Sequence, residues 1–162
     1  MADVLALPPI ATDGFTRVRQ RSDNDCLLCA FAMFAGLTYD EAAAHARRIV
    51  PAYDPLAAPA SHALIRRMGE DLGLRLVSSI YMDWRFPGIV GVLSRTLPDC
   101  GHALFWTGEA LIDPSDSGLY DRAWVDVAAI EFTQRARDLA ALFALDAAAP
   151  AAPTRVVLTE SF

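Results

Sequence analysis

The segment from Cys26 to Ala35 reads Cys-Leu-Leu-Cys-Ala-Phe-Ala-Met-Phe-Ala and is apolar on every side. A helix with this pattern has no face for water, so it has to be packed all round and the rest of the chain built about it. Ser22-Asp23-Asn24-Asp25 supplies residues that favour a helix N-cap, and Gly36 supplies a stop. The sequence therefore predicts a central buried helix whose first residue is a cysteine.

Around it, Thr38-Tyr39-Asp40-Glu41 has the spacing of a capping box and opens a second helix that ends near Val50-Pro51. Ser61 can cap a third, in which Leu64, Ile65, Met68 and Leu72 form one apolar stripe, Arg66, Arg67, Glu70 and Asp71 face water, and Gly73 is the stop. The pattern then changes. Leu74 to Tyr81 is rich in β-branched and aromatic residues, and Phe86-Pro87-Gly88 introduces a shorter strand from Ile89 to Leu93. Residues 102–106 and 110–112 flank Thr107-Gly108-Glu109, a hairpin-length turn that brings His102 and Asp113 to the same open end. An amphipathic helix is predicted over much of Val127 to Leu145. A linker-like Ala147–Pro153 and a final apolar piece, Val156–Leu158, follow it, and residues 1–14 form a Pro-containing lead-in. Helices followed by paired strands give an α+β fold class.

At 162 residues and 54% hydrophobic content, the chain is sized for one domain spanning 1–162. A formal charge of -6 argues against a nucleic-acid partner, which needs clustered cations; Arg47-Arg48 and Arg66-Arg67 are too short for that. All the basic residues are arginine, a bias that a GC-rich genome explains together with the many alanines. Met1 to Ile10 has no basic region and is interrupted by Pro8 and Pro9, and no later apolar run approaches membrane-spanning length. The expectation is a soluble, cytoplasmic protein without a membrane span. Three cysteines, an odd count, point to reduced thiols rather than a disulfide framework.

The chemistry-bearing residues form an ordered set. A cysteine attacks carbonyl carbon as the thiolate, and a helix N-terminus with a neighbouring imidazolium lowers a thiol from its usual ~8.5 by several units. Such a site also needs a base, a group to orient the base, and donors for the developing oxyanion. His102, Asp113 and Gln20 meet those needs in that order, with Cys26 as nucleophile. Taken singly, each has an ordinary reading: Cys26 as a small core residue, His102 as a strand-start histidine, Asp113 as a turn residue before Pro114, Gln20 as a surface glutamine. The set in order carries the argument. His45 and His62 read as solvent-facing or capping residues. Cys26, Cys29, Cys100 and His102 also invite a zinc reading, but Leu27, Leu28 and Phe31 place Cys29 in the core one turn after Cys26. A redox Cys-x-x-Cys would follow a strand, which is lacking here. Neither a metal nor another cofactor is expected.

Gln20-Arg-Ser-Asp-Asn-Asp-Cys26, then Pro87-Gly-Ile-Val-Gly-Val-Leu93, Gly101-His102 and Ile112-Asp113-Pro114 together resemble a papain-like cysteine peptidase. They are most similar to the C39-like branch that includes bacteriocin-leader peptidases. The resemblance covers about residues 15–116 and lies in the order and spacing of these short motifs. It implies a papain-like fold, with the nucleophile on a buried helix of an N-terminal helical part and the His and Asp on a C-terminal antiparallel sheet. It also implies Gln20 as oxyanion donor, Cys26 as nucleophile, His102 as base and Asp113 as its orienting partner. Leu27 stands where the family usually has glycine, a bulk that narrows the cleft, and residues 117–162 form an unmatched helical extension.

The function expected is thiol-dependent hydrolysis of a peptide or isopeptide bond in a peptide or protein substrate, through an acyl-enzyme. Acyl transfer, transglutamination or deamidation by the same triad is the second reading. A non-catalytic domain that binds a peptide or protein in its groove is the third.

Overall fold

In a computed structural model, which describes residues 15–148, the all-apolar segment is helix α1, Cys26–Ala35. Leu28, Cys29, Ala30, Phe31 and Ala32 are completely buried, and withdrawing Phe31 alone from water contributes roughly 2–3 kcal/mol. Gly36 ends the helix in the left-handed conformation, φ 71°, where a side chain would be strained. Helix α2, Tyr39–Ile49, begins with the full capping box: the Thr38 hydroxyl accepts from the Glu41 amide, and the Glu41 carboxylate accepts from the Thr38 amide at 2.8 Å. Helix α3, His62–Asp71, is capped by the Ser61 hydroxyl and buries Leu64, Ile65 and Met68.

The sheet follows: β1 (Leu76–Ser79), β2 (Gly88–Leu93), β3 (Gly101–Trp106) and β4 (Leu111–Ile112). Then come α4 (Arg122–Ala128), β5 (Ala129–Arg135) and α5 (Ala136–Ala148). The strand order is β1-β5-β2-β3-β4, with every described pair antiparallel. The fold is therefore α+β. One core lies between α1 and the sheet, where Phe31 packs with Ile89, Ala103 and Phe105. The other lies on the side of α4, where Val125 meets Val90, Val92, Leu104 and Trp106.

The helix predicted over Val127 to Leu145 is corrected by the structure, because residues 129–135 are the strand β5, which separates the end of α4 from α5. Tertiary context outweighs the helical spacing here. Among the described residues β5 is the sole neighbour of β1 and also covers the edge of β2, so the strand satisfies two rows of backbone groups that a helix would leave open. Its β-branched and aromatic residues suit the place: Thr133 pairs with Ile89 and Ser78, and Phe132 packs edge-on against Trp84 at 5.5 Å. The described part of the C-terminal extension is thus a helix, a strand and a helix.

His45 is also corrected: it is buried in α2, and its Nε2 lies 3.2 Å from Asp71 Oδ2 on α3, tying the two helices together. The linker-like Ala147–Pro153 starts inside α5. The rest of that stretch, the lead-in and Val156–Leu158 lie outside the described residues. Among the described residues no single helix is long and apolar enough to cross a membrane.

Candidate active site

The loop leading into α1 is organised by Asp25, a carboxylate with no exposure at all. It does not cap the helix. Its side chain turns back to accept the amides of Arg21 (2.9 Å) and Ser22 (3.3 Å) and the Tyr39 hydroxyl (2.8 Å). Because no side chain caps α1 and no acidic residue sits in its first turn, the positive end of the helix is left to the neighbourhood of Cys26.

β3 brings His102 to that helix start. Its Nε2 is 2.8 Å from Asp113 Oδ1, and Cys26 lines the same cleft as the imidazole, close enough to help raise its pKa. Nε2 being engaged by the carboxylate, Nδ1 is the nitrogen left for the thiol. His102 lies on β3 and Asp113 directly follows β4 of the same hairpin, whose pairing of Phe105 with Ile112 fixes their spacing. Burial works to lower the His102 imidazole, but the bonds and charges of Asp113 and Cys26 outweigh it and push it up to about 9. Burial works in the opposite direction on Asp113. Hydrogen bonds from His102, Ser117 and Ser115 overcome that and hold its carboxyl below the usual carboxylate range.

Three of these partners escaped the sequence reading. Ser117 Oγ donates to Asp113 Oδ2 at 2.6 Å, and Ser115 gives both its hydroxyl (2.7 Å) and its amide (2.8 Å) to Oδ1. Asp113-Pro-Ser-Asp-Ser117 is a run of turn-forming residues, and that was the available signal. Tyr120 stacks on the His102 ring, centroids 4.9 Å apart, and gave no signal in the sequence. The Asp113 loop is in turn held from the N-terminal side, where Arg17 bonds the Asp113 carbonyl and the Asp116 carboxylate and the Gln20 amide donates to the Pro114 carbonyl at 3.0 Å.

Gln20 joins the site through its backbone. Its side-chain Nε2 donates to the Ser22 carbonyl at 2.8 Å, and its Oε1 is buried without a partner. The structure therefore gathers Cys26 with the bonded pair His102–Asp113 at one cleft and leaves the Gln20 side-chain amide turned toward its own loop. Cys29 is buried one turn into α1, its thiol pushed up by burial, then by the charges of Asp25 and Cys26. Cys100 is exposed. Among the described residues no group of three or more His, Cys, Asp or Glu is placed to hold a metal ion.

Cys26 and His102 open into a cleft of about 420 Å³ walled by Leu27, Ala60, Ile89, Val92 and Ala103. That size falls in the range of ~300–1,000 Å³ typical of ligand sites. Leu27 is buried in the core as well as lining the cleft, so its bulk forms a wall. His62, expected in solvent, is exposed but bonds Glu131 of β5 at 2.8 Å, and both residues line this cleft. Comparison with known proteins finds no family model and no curated sequence that matches the chain.

Proposed function

We propose that the protein is a thiol-dependent hydrolase of the papain-like kind, cleaving a peptide or isopeptide bond in a peptide or protein substrate. The single observation that carries this reading is the grouping of Cys26 with the hydrogen-bonded pair His102–Asp113 at one cleft, set at the uncapped start of a buried helix. In this reading the Cys26 thiolate attacks the carbonyl carbon while His102 holds the proton at Nδ1 and delivers it to the leaving amine. Asp113, held by two serines, keeps the imidazole oriented and stabilises its charged form. Amide hydrogens of the first turn of α1 face the developing oxyanion. Water then releases the acyl group with His102 as base.

The test is alkylation by iodoacetamide followed by mass spectrometry of each cysteine, beside a screen of unbiased peptide mixtures for cleavage. Cys26 is expected to react much faster than Cys29 and Cys100, and Cys26→Ala is expected to abolish cleavage. Equal rates at all three thiols overturn the reading. An added acyl mass on a partner, in place of cut fragments, assigns the site to acyl transfer.

A further inference from the structure

The cleft beside Cys26 has an origin in small residues. Gly91 on β2 faces Ala103 on β3 and Glu131 on β5, and Gly101 opens the end of β3. A Cβ on Gly91 would press on Glu131 Cγ at 3.3 Å, whereas one on Gly101 would meet nothing nearer than 3.9 Å. The missing side chains leave a trough, with Leu27 and Ala60 of the helical side forming the facing wall.

Beyond the catalytic imidazole, the ionisable lining of this trough is mostly acidic. Apart from cysteines and His102, it consists of Asp23, His62 and Glu131. Fourteen arginines supply all the chain's basic residues, yet none of the described ones lines the cleft. Glu131 is half-buried on apolar walls and spends Oε1 on His62 at 2.8 Å, which leaves Oε2 to accept from a second donor. Beyond the His102 end, an acidic side chain entering here would meet the carboxylates of Asp23 and Glu131, with the His62 imidazole already engaged by Glu131 and no guanidinium among the described lining residues. A long aliphatic stem ending in a cation would lay its methylenes along Leu27, Ile89 and Ala103 and present its charge to Glu131.

We propose that this cleft is a specificity pocket that selects an arginine or lysine side chain at one of the two residues preceding the attacked carbonyl; the proposal rests on the hydrolase reading with Cys26 as nucleophile. The acyl half of the substrate becomes bonded to Cys26 as the amine leaves and stays there until water releases it, so its side chains are the ones the cleft holds in both half-reactions.

The test uses acetyl-dipeptidyl chloromethyl ketones in which arginine, leucine or glutamate occupies the first or the second residue before the ketone and glycine the other. Thiolate displaces chloride at Cys26, and each rate is divided by the same protein's iodoacetamide rate. In at least one position arginine is expected to exceed glutamate by roughly tenfold or more, with leucine between, the size of a charge-assisted hydrogen bond. Glu131→Gln is expected to bring the arginine-to-leucine ratio down to about one, and His62→Ala, which frees Oε1, to raise it. Equal arginine and glutamate rates in both positions, or a ratio indifferent to both substitutions, overturns the pocket while leaving Cys26 as nucleophile. Iodoacetamide rates equal at all three cysteines would instead overturn the hydrolase reading itself.

Discussion

The Tyr120 ring lies against the His102 imidazole with centroids 4.9 Å apart and planes 29° apart, and its hydroxyl accepts the Arg95 amide at 2.8 Å. The stack covers one face of the imidazole whose edge is shared between Asp113 and Cys26, so it restricts rotation of the ring out of line. Tyr120→Phe keeps the stack and loses only the Arg95 bond; Tyr120→Ala loses both. Measured by Cys26 alkylation, Phe is expected to stay within about twofold of the parent and Ala to fall by roughly tenfold, the scale of one aromatic contact. Equal loss in both variants would assign the effect to the hydroxyl.

Asp113 is the reason His102 stays charged near neutrality. Its carboxylate and the contact with Cys26 push the imidazole up to about 9 against the effect of burial. Asp113→Asn removes the charge while keeping the size, so the imidazole midpoint, followed by NMR, is expected to move down toward the unperturbed ~6.5. An unchanged midpoint would show that Asp113 contributes no net charge stabilisation.

The same groups set a pH profile of stability. His102 binds its proton more tightly folded than unfolded, so its contribution is fully present below ~6.5 and disappears as pH rises through about 9. Asp113 has a lowered folded value, so its contribution is fully present above the unfolded ~3.9 and is lost as pH falls below that, through the lower folded value. Urea unfolding is expected to show stability dropping between about pH 6.5 and 9, with a flatter alkaline side in His102→Gln. Parallel alkaline slopes in the two proteins would contradict the assignment.

The helical half was legible because its signals are local. Ser61, Thr38 and Gly36 mark ends through bonds or dihedrals made within a few residues, and the apolar run of α1 admits one solution. The hairpin bearing His102 and Asp113 was legible for the same reason. β5 was not, because Thr133 becomes a strand residue only when β1 and β2 stand on either side of it. Tyr120 and Glu131 reach the site from the region the motifs do not cover, and no spacing rule links them to Cys26. Gln20 shows the limit of a motif: its position in the chain was readable, while the direction of its amide depends on Ser22.

Asp25 and Tyr39 join the loop before Cys26 to the first residue of α2 through a 2.8 Å bond inside the protein. A carboxylate with no exposure depends on its donors, here two amides and one phenol, and the charge and burial together push the Tyr39 hydroxyl well above its ordinary range. Tyr39→Phe keeps the ring beneath the Arg21 guanidinium, which sits 3.8 Å above it, and removes only the phenolic donor. A hydrogen bond to a buried charge is worth about 1.5–3 kcal/mol, so urea unfolding is expected to show a loss of that size. The slower alkylation of Cys26 expected alongside it would reflect a loop less tightly held before α1. A stability loss with an unchanged Cys26 rate would mean that the two remaining amides hold the loop without the phenol.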